Sequence, residues 1–255
     1  MVRAKNWLAG YWLGQPKILG GQEMEMKELT GLDSDIASMM FRNGSIQWRD
    51  DPFALRSGIK SHVYFYGRED FTDDPELLYF VARNIASTVL QSAIKRHSKK
   101  QPCLIGIPTA GTQFAIAASL ASYQSYITLN GVPICCRVMK EVKKEHGAHF
   151  TWVNGESDPD RHEYWLVDNV ATSGGTFIEA AEKLKESGYP SIHEISCLIF
   201  VDRQQGGVKK IQEAGFKQVV VLYNLLDIVF TFSKLGLWTL EKVSAVREEI
   251  EAHQI

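Results

Sequence analysis

Residues 164–176 constrain the fold of this chain more than any other stretch, because they join an apolar run to a glycine-rich polar turn. Residues 164–167 are apolar or aromatic and predict a buried strand that ends at Asp168. The turn of residues 172–176, Thr-Ser-Gly-Gly-Thr, then opens a helical pattern. Ligands of open α/β sheets bind beyond the carboxyl ends of strands, and helix N-termini bind anions. The stretch therefore predicts a phosphate-binding turn, with Asp168 placed for ribose hydroxyls or a magnesium shell; the alternative is an ordinary strand-to-helix turn.

Strand and helix patterns alternate through the middle of the chain, which predicts an α/β fold with a doubly wound parallel sheet. The clearest helix begins at Asp74 and Pro75 and carries apolar residues at helical spacing to about Lys95. Further strands are predicted at residues 59–66, 103–107, 133–138, 193–201 and 217–222, and further helices at residues 33–43, 113–121, 177–187, 225–234 and 240–252. We expect three regions, namely an N-terminal extension (1–32), a small hood or lid (33–74) and a core with C-terminal helices (75–255).

Charge and cysteine content exclude several classes of protein. The net charge of -2 and the lack of a long Lys/Arg block argue against a nucleic-acid partner. The four cysteines lie in apolar runs without a C-x-x-C pair, which predicts buried reduced thiols in a cytoplasmic protein rather than a zinc site. Gly10, Gly14 and Gln15 break the N-terminal apolar stretch, so we expect neither a signal peptide nor a membrane span.

Four loops follow predicted strands, at residues 108–112, 140–147, 168–176 and 202–207. They supply a tight turn of small residues, a cluster of cations, the phosphate-binding turn and Arg203 between turns. A polar connection as long as residues 139–162 is usually functional or mobile in a compact domain. A substrate with a diphosphate, a ribose and an anionic base would use all four loops.

Several of these motifs resemble one known family. Residues 164–176 resemble the motif with which type I phosphoribosyltransferases bind phosphoribosyl pyrophosphate (PRPP). Residues 53–58 (Phe-Ala-Leu-Arg-Ser-Gly), 60–66, 106–111, 140–147 and 201–207 (Val-Asp-Arg-Gln-Gln-Gly-Gly) are similar to elements of orotate phosphoribosyltransferases. The motifs occur in the family's order, and the resemblance extends from about Asp33 to the C-terminus.

The resemblance implies transfer of a phosphoribosyl group from PRPP to a ring nitrogen of orotate, giving orotidine 5'-monophosphate and pyrophosphate in pyrimidine nucleotide biosynthesis. It also implies Mg²⁺ as the cofactor and a homodimer, in which the loop of residues 140–147 reaches the neighbouring site. The catalytic group would be Lys140, Lys143, Lys144, His146 and Asp168. PRPP would be bound by Asp168, Asn169, Ala171, Thr172, Ser173, Gly174, Gly175 and Thr176, together with Thr109, Ala110 and Gly111. The base would meet Arg56, Tyr64, Phe65, Thr172 and Arg203, and Asp168 would hold the metal indirectly, through substrate or water.

The chain departs from the family pattern at several charged positions. Asn169 stands in place of the second acid, Met139 in place of an arginine, and Ala110 where many bacterial members have lysine. The loop also has one extra residue, so Lys143 and Lys144 compete for one role. These departures leave two alternatives open: a phosphoribosyltransferase for another base, such as uracil or a purine, or a weakly catalytic or non-catalytic PRPP-sensing regulator.

Overall fold

Five parallel strands form the centre of the fold in the computed structural model, which describes residues 25–55, 58–67, 69–142 and 151–253. The helices are α1 (Leu32–Arg42), α2 (Glu69–Asp73), α3 (Pro75–Lys95), α4 (Ala110–Gln124), α5 (Gly175–Glu186), α6 (Gly207–Glu213), α7 (Leu225–Lys234) and α8 (Leu240–Ala252). The strands are β1 (Ile46–Ala54), β2 (Lys60–Phe65), β3 (Gln101–Gly106), β4 (Thr128–Leu129), β5 (Val132–Pro133), β6 (Cys135–Val138), β7 (His162–Ala171), β8 (Ser196–Asp202) and β9 (Gln218–Asn224).

The strand order of the central sheet is β6-β3-β7-β8-β9, and every neighbouring pair is parallel. β3 therefore lies between β6, which follows it in the chain, and β7, which comes after the long polar connection. The order reverses between β3 and β7, and in sheets of this kind ligands bind in the crevice at that switch point. The prediction of a doubly wound parallel sheet is confirmed.

Apolar clusters cover both faces of the sheet. One face carries α3, α4 and α7, and the other carries α5 and α6. The neighbouring residues Trp165 and Leu166 of β7 are both fully buried, but they belong to opposite clusters. A strand that is covered on both faces needs apolar residues without interruption, which explains the apolar run that begins at residue 164.

The hood predicted at residues 33–74 contains α1, the antiparallel hairpin β1–β2, and α2. Its buried residues Ile36, Ile46 and Val63 belong to the same apolar cluster as α3 and α7. Phe71 of α2 also packs edge-on against Phe200 of β8, with ring centroids 5.6 Å apart. The hood therefore shares its core with the sheet, and the division into three regions stays a prediction.

Most element boundaries lie within three residues of the predicted ones, and two of the differences concern β7 and β8. β7 does not end at Asp168 but runs to Ala171, because Val170 and Ala171 continue the pairing with Val201 and Asp202 of β8. Asp168 and Asn169 are therefore strand residues, three and two residues before the end of β7. At the other boundary, the predicted strand at residues 193–201 begins only at Ser196, since a 3-10 helix precedes it.

α3 has the length and the mean hydropathy (1.2) of a helix that could cross a membrane, a test that buried helices of other proteins also pass. Its apolar side faces the core, where Leu77, Val81, Ile85 and Val89 are fully buried. Asp74 caps the helix by accepting a hydrogen bond from the Leu77 N–H at 3.0 Å, and Pro75 fits the first helical position. α3 is thus a core helix of the sheet's first face.

Candidate active site

The turn after β3 packs so closely on β7 that it admits only glycine at Gly111. A Cβ atom there would lie 2.1 Å from the carbonyl oxygen of Val167, and one at Gly106 would lie 2.2 Å from the carbonyl oxygen of Gly111. The peptide bond between Pro108 and Thr109 is cis. Thr109, Ala110 and Gly111, predicted to bind PRPP, thus lie at the carboxyl end of β3 beside β7, at the switch point of the sheet.

The turn after β7 leads into α5 without a side-chain cap at the helix N-terminus. Gly174 takes a positive φ of 73°, which brings the chain round sharply before Gly175 and Thr176 start the helix. The first N–H groups of a helix have no partner within it, so they bind anions readily. Thr172 is half-buried and Ser173 is exposed, so both hydroxyls can reach a ligand at this end of α5.

The turn after β8 lies directly against the turn after β7. A Cβ atom at Gly207 would lie 2.6 Å from the Thr172 carbonyl oxygen, and one at Gly174 would lie 2.6 Å from the Gly207 carbonyl oxygen. The Arg203 N–H donates to the Ala171 carbonyl oxygen at 3.0 Å, which continues the strand pairing into the turns. The phosphate-binding turn and the loop that carries Arg203 therefore form one continuous surface.

Arg203, predicted to meet the base, is almost fully buried at 2% exposure. Its Nη1 donates to the Val63 carbonyl oxygen at 3.1 Å and its Nη2 to Ser61 Oγ at 2.7 Å, both on β2 of the hood. Nη2 also lies 3.5 Å from Glu249 Oε1 of α8. Burial lowers the pKa of Arg203, while the Glu249 carboxylate acts to raise it. The Arg203 side chain therefore connects the carboxyl end of β8 to β2 of the hood.

The two aromatic residues predicted to stack on the base lie on opposite faces of β2. Phe65 packs with Phe71 and Phe200, at centroid distances of 6.0 and 6.2 Å, whereas Tyr64 contacts Phe53 and Tyr66 at 4.6 and 4.0 Å. Successive strand residues point to opposite sides, so at most one of the two can stack on a given base. Phe65 borders Gly67, which in turn lies against Asn169 of β7.

The loop of residues 140–147 grows from a short antiparallel stem. The Lys140 N–H donates to the Trp152 carbonyl oxygen at 2.7 Å, and the Asn154 N–H donates to the Val138 carbonyl oxygen at 3.1 Å. The Lys140 ammonium reaches the Thr151 carbonyl oxygen at 2.8 Å. At the same edge, the Thr109 hydroxyl donates to Glu141 at 3.0 Å, so the stem abuts the turn after β3. Lys143, Lys144, His146 and, in the hood, Arg56 lie outside the described residues, as do residues 1–24 of the N-terminal extension.

The structure shows the surroundings of Asp168 and of Met139 and Asn169, two residues that depart from the family pattern. Met139 is buried, pairs across the stem with Val153 and packs in the apolar cluster beneath α5, so its side chain faces away from the loop. Asp168 is 8% exposed and accepts a hydrogen bond from the Asn169 N–H at 2.8 Å. A Cβ atom at Gly67 would lie 1.8 Å from the Asn169 amide nitrogen, so the Asn169 side chain rests on the hood's backbone.

Sequence reasoning missed two buried polar residues, one at the end of β8 and one in the loop that follows it. Asp202 accepts a hydrogen bond from the Gln204 N–H at 2.9 Å, yet burial raises the pKa of its carboxyl to about 6. Gln205 is 1% exposed, and neither its amide nitrogen nor its amide oxygen has a partner among the described residues. Both lie in the segment that supplies Arg203, so the motif itself marked them, but only the fold shows that they are buried.

We expect Asp202→Asn to stabilise the protein at neutral and alkaline pH. Because the folded pKa is raised from 3.8 to about 6, the wild-type protein loses stability as pH rises through this range, since a charge must then be held in a buried place. At pH 8 the variant should gain about 2–3 kcal/mol in the free energy of unfolding, and below pH 4 the difference should vanish. Urea denaturation at pH 4, 6 and 8 measures this, with the exposed Asp160→Asn as control; a difference independent of pH contradicts it.

Comparison with known proteins identifies relatives over most of the chain, although no protein-family model matches it. An orotate phosphoribosyltransferase of Pyrococcus furiosus is 30% identical over 185 residues, covering 72% of this chain and 87% of the relative. An orotate phosphoribosyltransferase of Pyrococcus abyssi is 27% identical over 206 residues, covering 80% of this chain and 98% of the relative.

Solved structures share the fold. A UMP synthase of Leishmania donovani superposes with a TM-score of 0.63 at 21% identity, covering 87% of this chain and 43% of that longer protein. An orotate phosphoribosyltransferase of Aeropyrum pernix gives a TM-score of 0.54 at 21% identity, over 80% of this chain and 99% of that one. With 30% identity over most of a curated relative, and with its fold, this chain belongs to the orotate phosphoribosyltransferase family.

Proposed function

We propose that this protein transfers the phosphoribosyl group of PRPP to orotate, forming orotidine 5'-monophosphate and pyrophosphate in pyrimidine nucleotide biosynthesis. One observation carries the proposal: the uncapped N-terminus of α5 and the loop of Arg203 are joined by the hydrogen bond from the Arg203 N–H to the Ala171 carbonyl oxygen. A phosphate-binding site and a cationic side chain are thereby held together at the switch point of the sheet. Family membership supports the same reaction.

The phosphoribosyl part of PRPP would lie on the turn between β7 and α5. The amides of Gly175 and Thr176, with the hydroxyls of Thr172 and Ser173, donate to the 5'-phosphate at the positive end of the helix. Asp168 and the Asn169 amide, at the carboxyl end of β7, would meet the ribose hydroxyls. Binding at several points orients the ribose carbon towards the incoming ring nitrogen, and such positioning lowers the barrier of a two-substrate reaction.

The leaving pyrophosphate would lie beside the turn after β3. The ribose carbon becomes oxocarbenium-like as pyrophosphate departs, so the site must stabilise negative charge on the leaving group. Backbone amides of Ala110 and Gly111 start α4 there, and the Lys140 loop emerges beside them. Closure of that loop, with Lys143, Lys144 and His146, would bring cations to the pyrophosphate and exclude water, which otherwise hydrolyses PRPP.

The residues present fit magnesium that is held mainly by the substrate. Among the described residues, no three acidic, histidine or cysteine side chains form a cluster that could hold a metal ion on their own. Asp168 offers one carboxylate at the site, and Mg²⁺ commonly keeps several waters while binding one or two carboxylates and substrate phosphates. Bound to the diphosphate, the ion would neutralise charge that builds up on the leaving group.

The base would lie between the Arg203 loop and the hood. A guanidinium is a strong partner for the carboxylate and carbonyl oxygens of orotate, and Thr172 stands next to this loop. Phe65 lies nearer to Asn169 and the sheet than Tyr64 does, so it is the better candidate for stacking. The four cysteines, all free thiols, support the expectation that the enzyme works in the cytoplasm.

The proposed function is tested by supplying PRPP, magnesium and a panel of bases containing orotate, uracil, adenine and hypoxanthine. Pyrophosphate release and base consumption are followed together, so that hydrolysis of PRPP is not mistaken for transfer. Turnover of orotate supports the proposal. If only another base is turned over, that base and not orotate is the substrate. PRPP binding without transfer to any base would contradict the enzymatic function and leave a PRPP-binding regulator.

We expect Asn169→Asp to raise kcat/KM with orotate. The substitution restores a second carboxylate beside Asp168, where the ribose and its metal-bound water would gain a charged hydrogen-bond acceptor worth about 1.5 kcal/mol, or roughly tenfold in rate. Steady-state kinetics with varied PRPP and magnesium measures the effect. Asn154→Asp, on the stem of the loop, adds the same charge elsewhere and serves as control. Unchanged or lower turnover in Asn169→Asp would mean that the missing acid does not limit catalysis.

The same loop leads us to propose a homodimer. β6 is an edge strand of the sheet, and Glu141, shortly after its end, accepts a hydrogen bond from Thr109 at the start of α4. α4 exposes Ile116 (40%), Leu120 (59%) and Tyr123 (71%) at helical spacing, so they form one apolar face. A second copy packed on this face would bury it and stand within reach of the loop. Exposed apolar faces of this kind mark interaction sites.

Leu120→Glu should convert the dimer into a monomer, because it places a charge at the centre of the apolar face. Light scattering coupled to size-exclusion chromatography measures the mass in solution. Leu240→Glu, at an equally exposed leucine of α8 (63%), should leave the dimer intact. A wild-type protein that is monomeric at enzyme-assay concentrations, or a Leu120→Glu variant that remains dimeric, would overturn the assignment of this interface.

A further inference from the structure

The guanidinium of Arg203 is held by groups from two other parts of the fold. Its two terminal nitrogens are hydrogen-bonded to Val63 and Ser61 of β2, and Nη2 also pairs with Glu249 of α8. A guanidinium is planar, so contacts at both terminal nitrogens fix the orientation of the whole group. Nε is the one guanidinium nitrogen that has no partner among the described residues, and it is buried.

Glu249 supports this arrangement from the C-terminal helix. One carboxylate oxygen lies 3.5 Å from Arg203 Nη2, and the other accepts the His62 N–H at 3.0 Å. Its side chain is only 10% exposed, so both charges of the pair are largely removed from water. A buried arginine requires a compensating negative charge, and Glu249 is the carboxylate that ion-pairs with Arg203 in the described part of the chain.

The ion pair between Glu249 and Arg203 and the two hydrogen bonds to β2 hold one face of the guanidinium in a single orientation. The main chain of Arg203 is fixed as well, because its N–H donates to the Ala171 carbonyl oxygen beside the turn proposed to bind phosphate. We propose that Glu249, with Ser61, is a positioning residue for the reaction: it fixes the orientation of the Arg203 guanidinium, which the proposed function places at the anionic pyrimidine. This inference rests on the proposed function and extends it to α8, which has no contact with the phosphate-binding turn among the contacts described above.

Glu249→Gln tests the proposal, with Glu248→Gln as the matched control. Glu248 is the neighbouring residue of the same helix and is exposed, so its substitution removes the same charge without touching Arg203. We expect Glu249→Gln to raise KM for orotate about tenfold, while KM for PRPP stays within about twofold, since only the base contact is disturbed. Glu248→Gln should leave both KM values within about twofold.

A double-mutant cycle separates positioning from general damage to the fold. If Glu249 acts through Arg203, adding Glu249→Gln to Arg203→Gln should not raise KM for orotate further than Arg203→Gln alone. Effects that multiply in the double variant would overturn the proposal, as would equal KM values for Glu249→Gln and Glu248→Gln.

Ser61→Ala keeps the test decisive if Glu249→Gln does not fold. It removes one hydrogen-bond acceptor of Arg203 without changing any charge, and it should also raise KM for orotate selectively. Wild-type values for Ser61→Ala in that case would overturn the proposal. The wild-type protein is assayed first: if it does not turn over orotate, the proposed function fails and this inference with it, whereas failure of the variants alone overturns only the role of Glu249.

Discussion

The structure depends on the backbone contact between the turns that follow β7 and β8. Gly174 and Gly207 lie so close to carbonyl oxygens of the opposite turn that a side chain at either position would require the turns to separate. The hydrogen bond from Arg203 to Ala171 lies in the same contact. Main-chain atoms, which have little freedom once the sheet has formed, thus set the distance between the turn proposed to bind phosphate and the loop of Arg203.

The hood shares an apolar core with the sheet, and polar groups attach it to this contact. Arg203 binds β2 by two hydrogen bonds, Gln113 of α4 donates to the Gly67 carbonyl oxygen at 2.9 Å, and Asn169 rests on Gly67. The proposed recognition of the base and the attachment of the hood therefore share Arg203. Glu249 and the hydrogen bonds to β2 offset the desolvation of the Arg203 charge. Loss of any of these contacts would affect both the attachment of the hood and the proposed contact with the base.

The sequence was sufficient to predict the sheet and which turns follow the carboxyl ends of its strands. Apolar runs followed by small or polar turns predict the strands. Asp74 and Pro75 correctly predict that α3 begins at Pro75. The turns at the strand ends indicate the edge of the sheet where a ligand is expected. The end of β7 was not predictable, because residues 170 and 171 remain strand only through their pairing with β8. Local patterns carry no information about such long-range registers.

The role of Glu249 and the raised pKa of Asp202 also depend on tertiary structure. A glutamate in a charged C-terminal helix has the pattern of a solvated residue, and only the approach of β2 and Arg203 buries it. The opposite orientations of Tyr64 and Phe65, in contrast, follow from strand alternation and could have been predicted. The assignments of Arg56, Lys143, Lys144 and His146 rest on the resemblance alone and stay predictions.

The stem formed by residues 138–140 and 152–154 limits the effect that changes in the loop have on the stability of the sheet. Because its ends are pinned by main-chain hydrogen bonds, one inserted residue changes the closure entropy of the loop by only about 0.1 kcal/mol. The tip can therefore vary in length and charge at almost no cost to the sheet. By the same estimate, an additional residue in this loop costs the fold little, so its consequence is expected in substrate turnover.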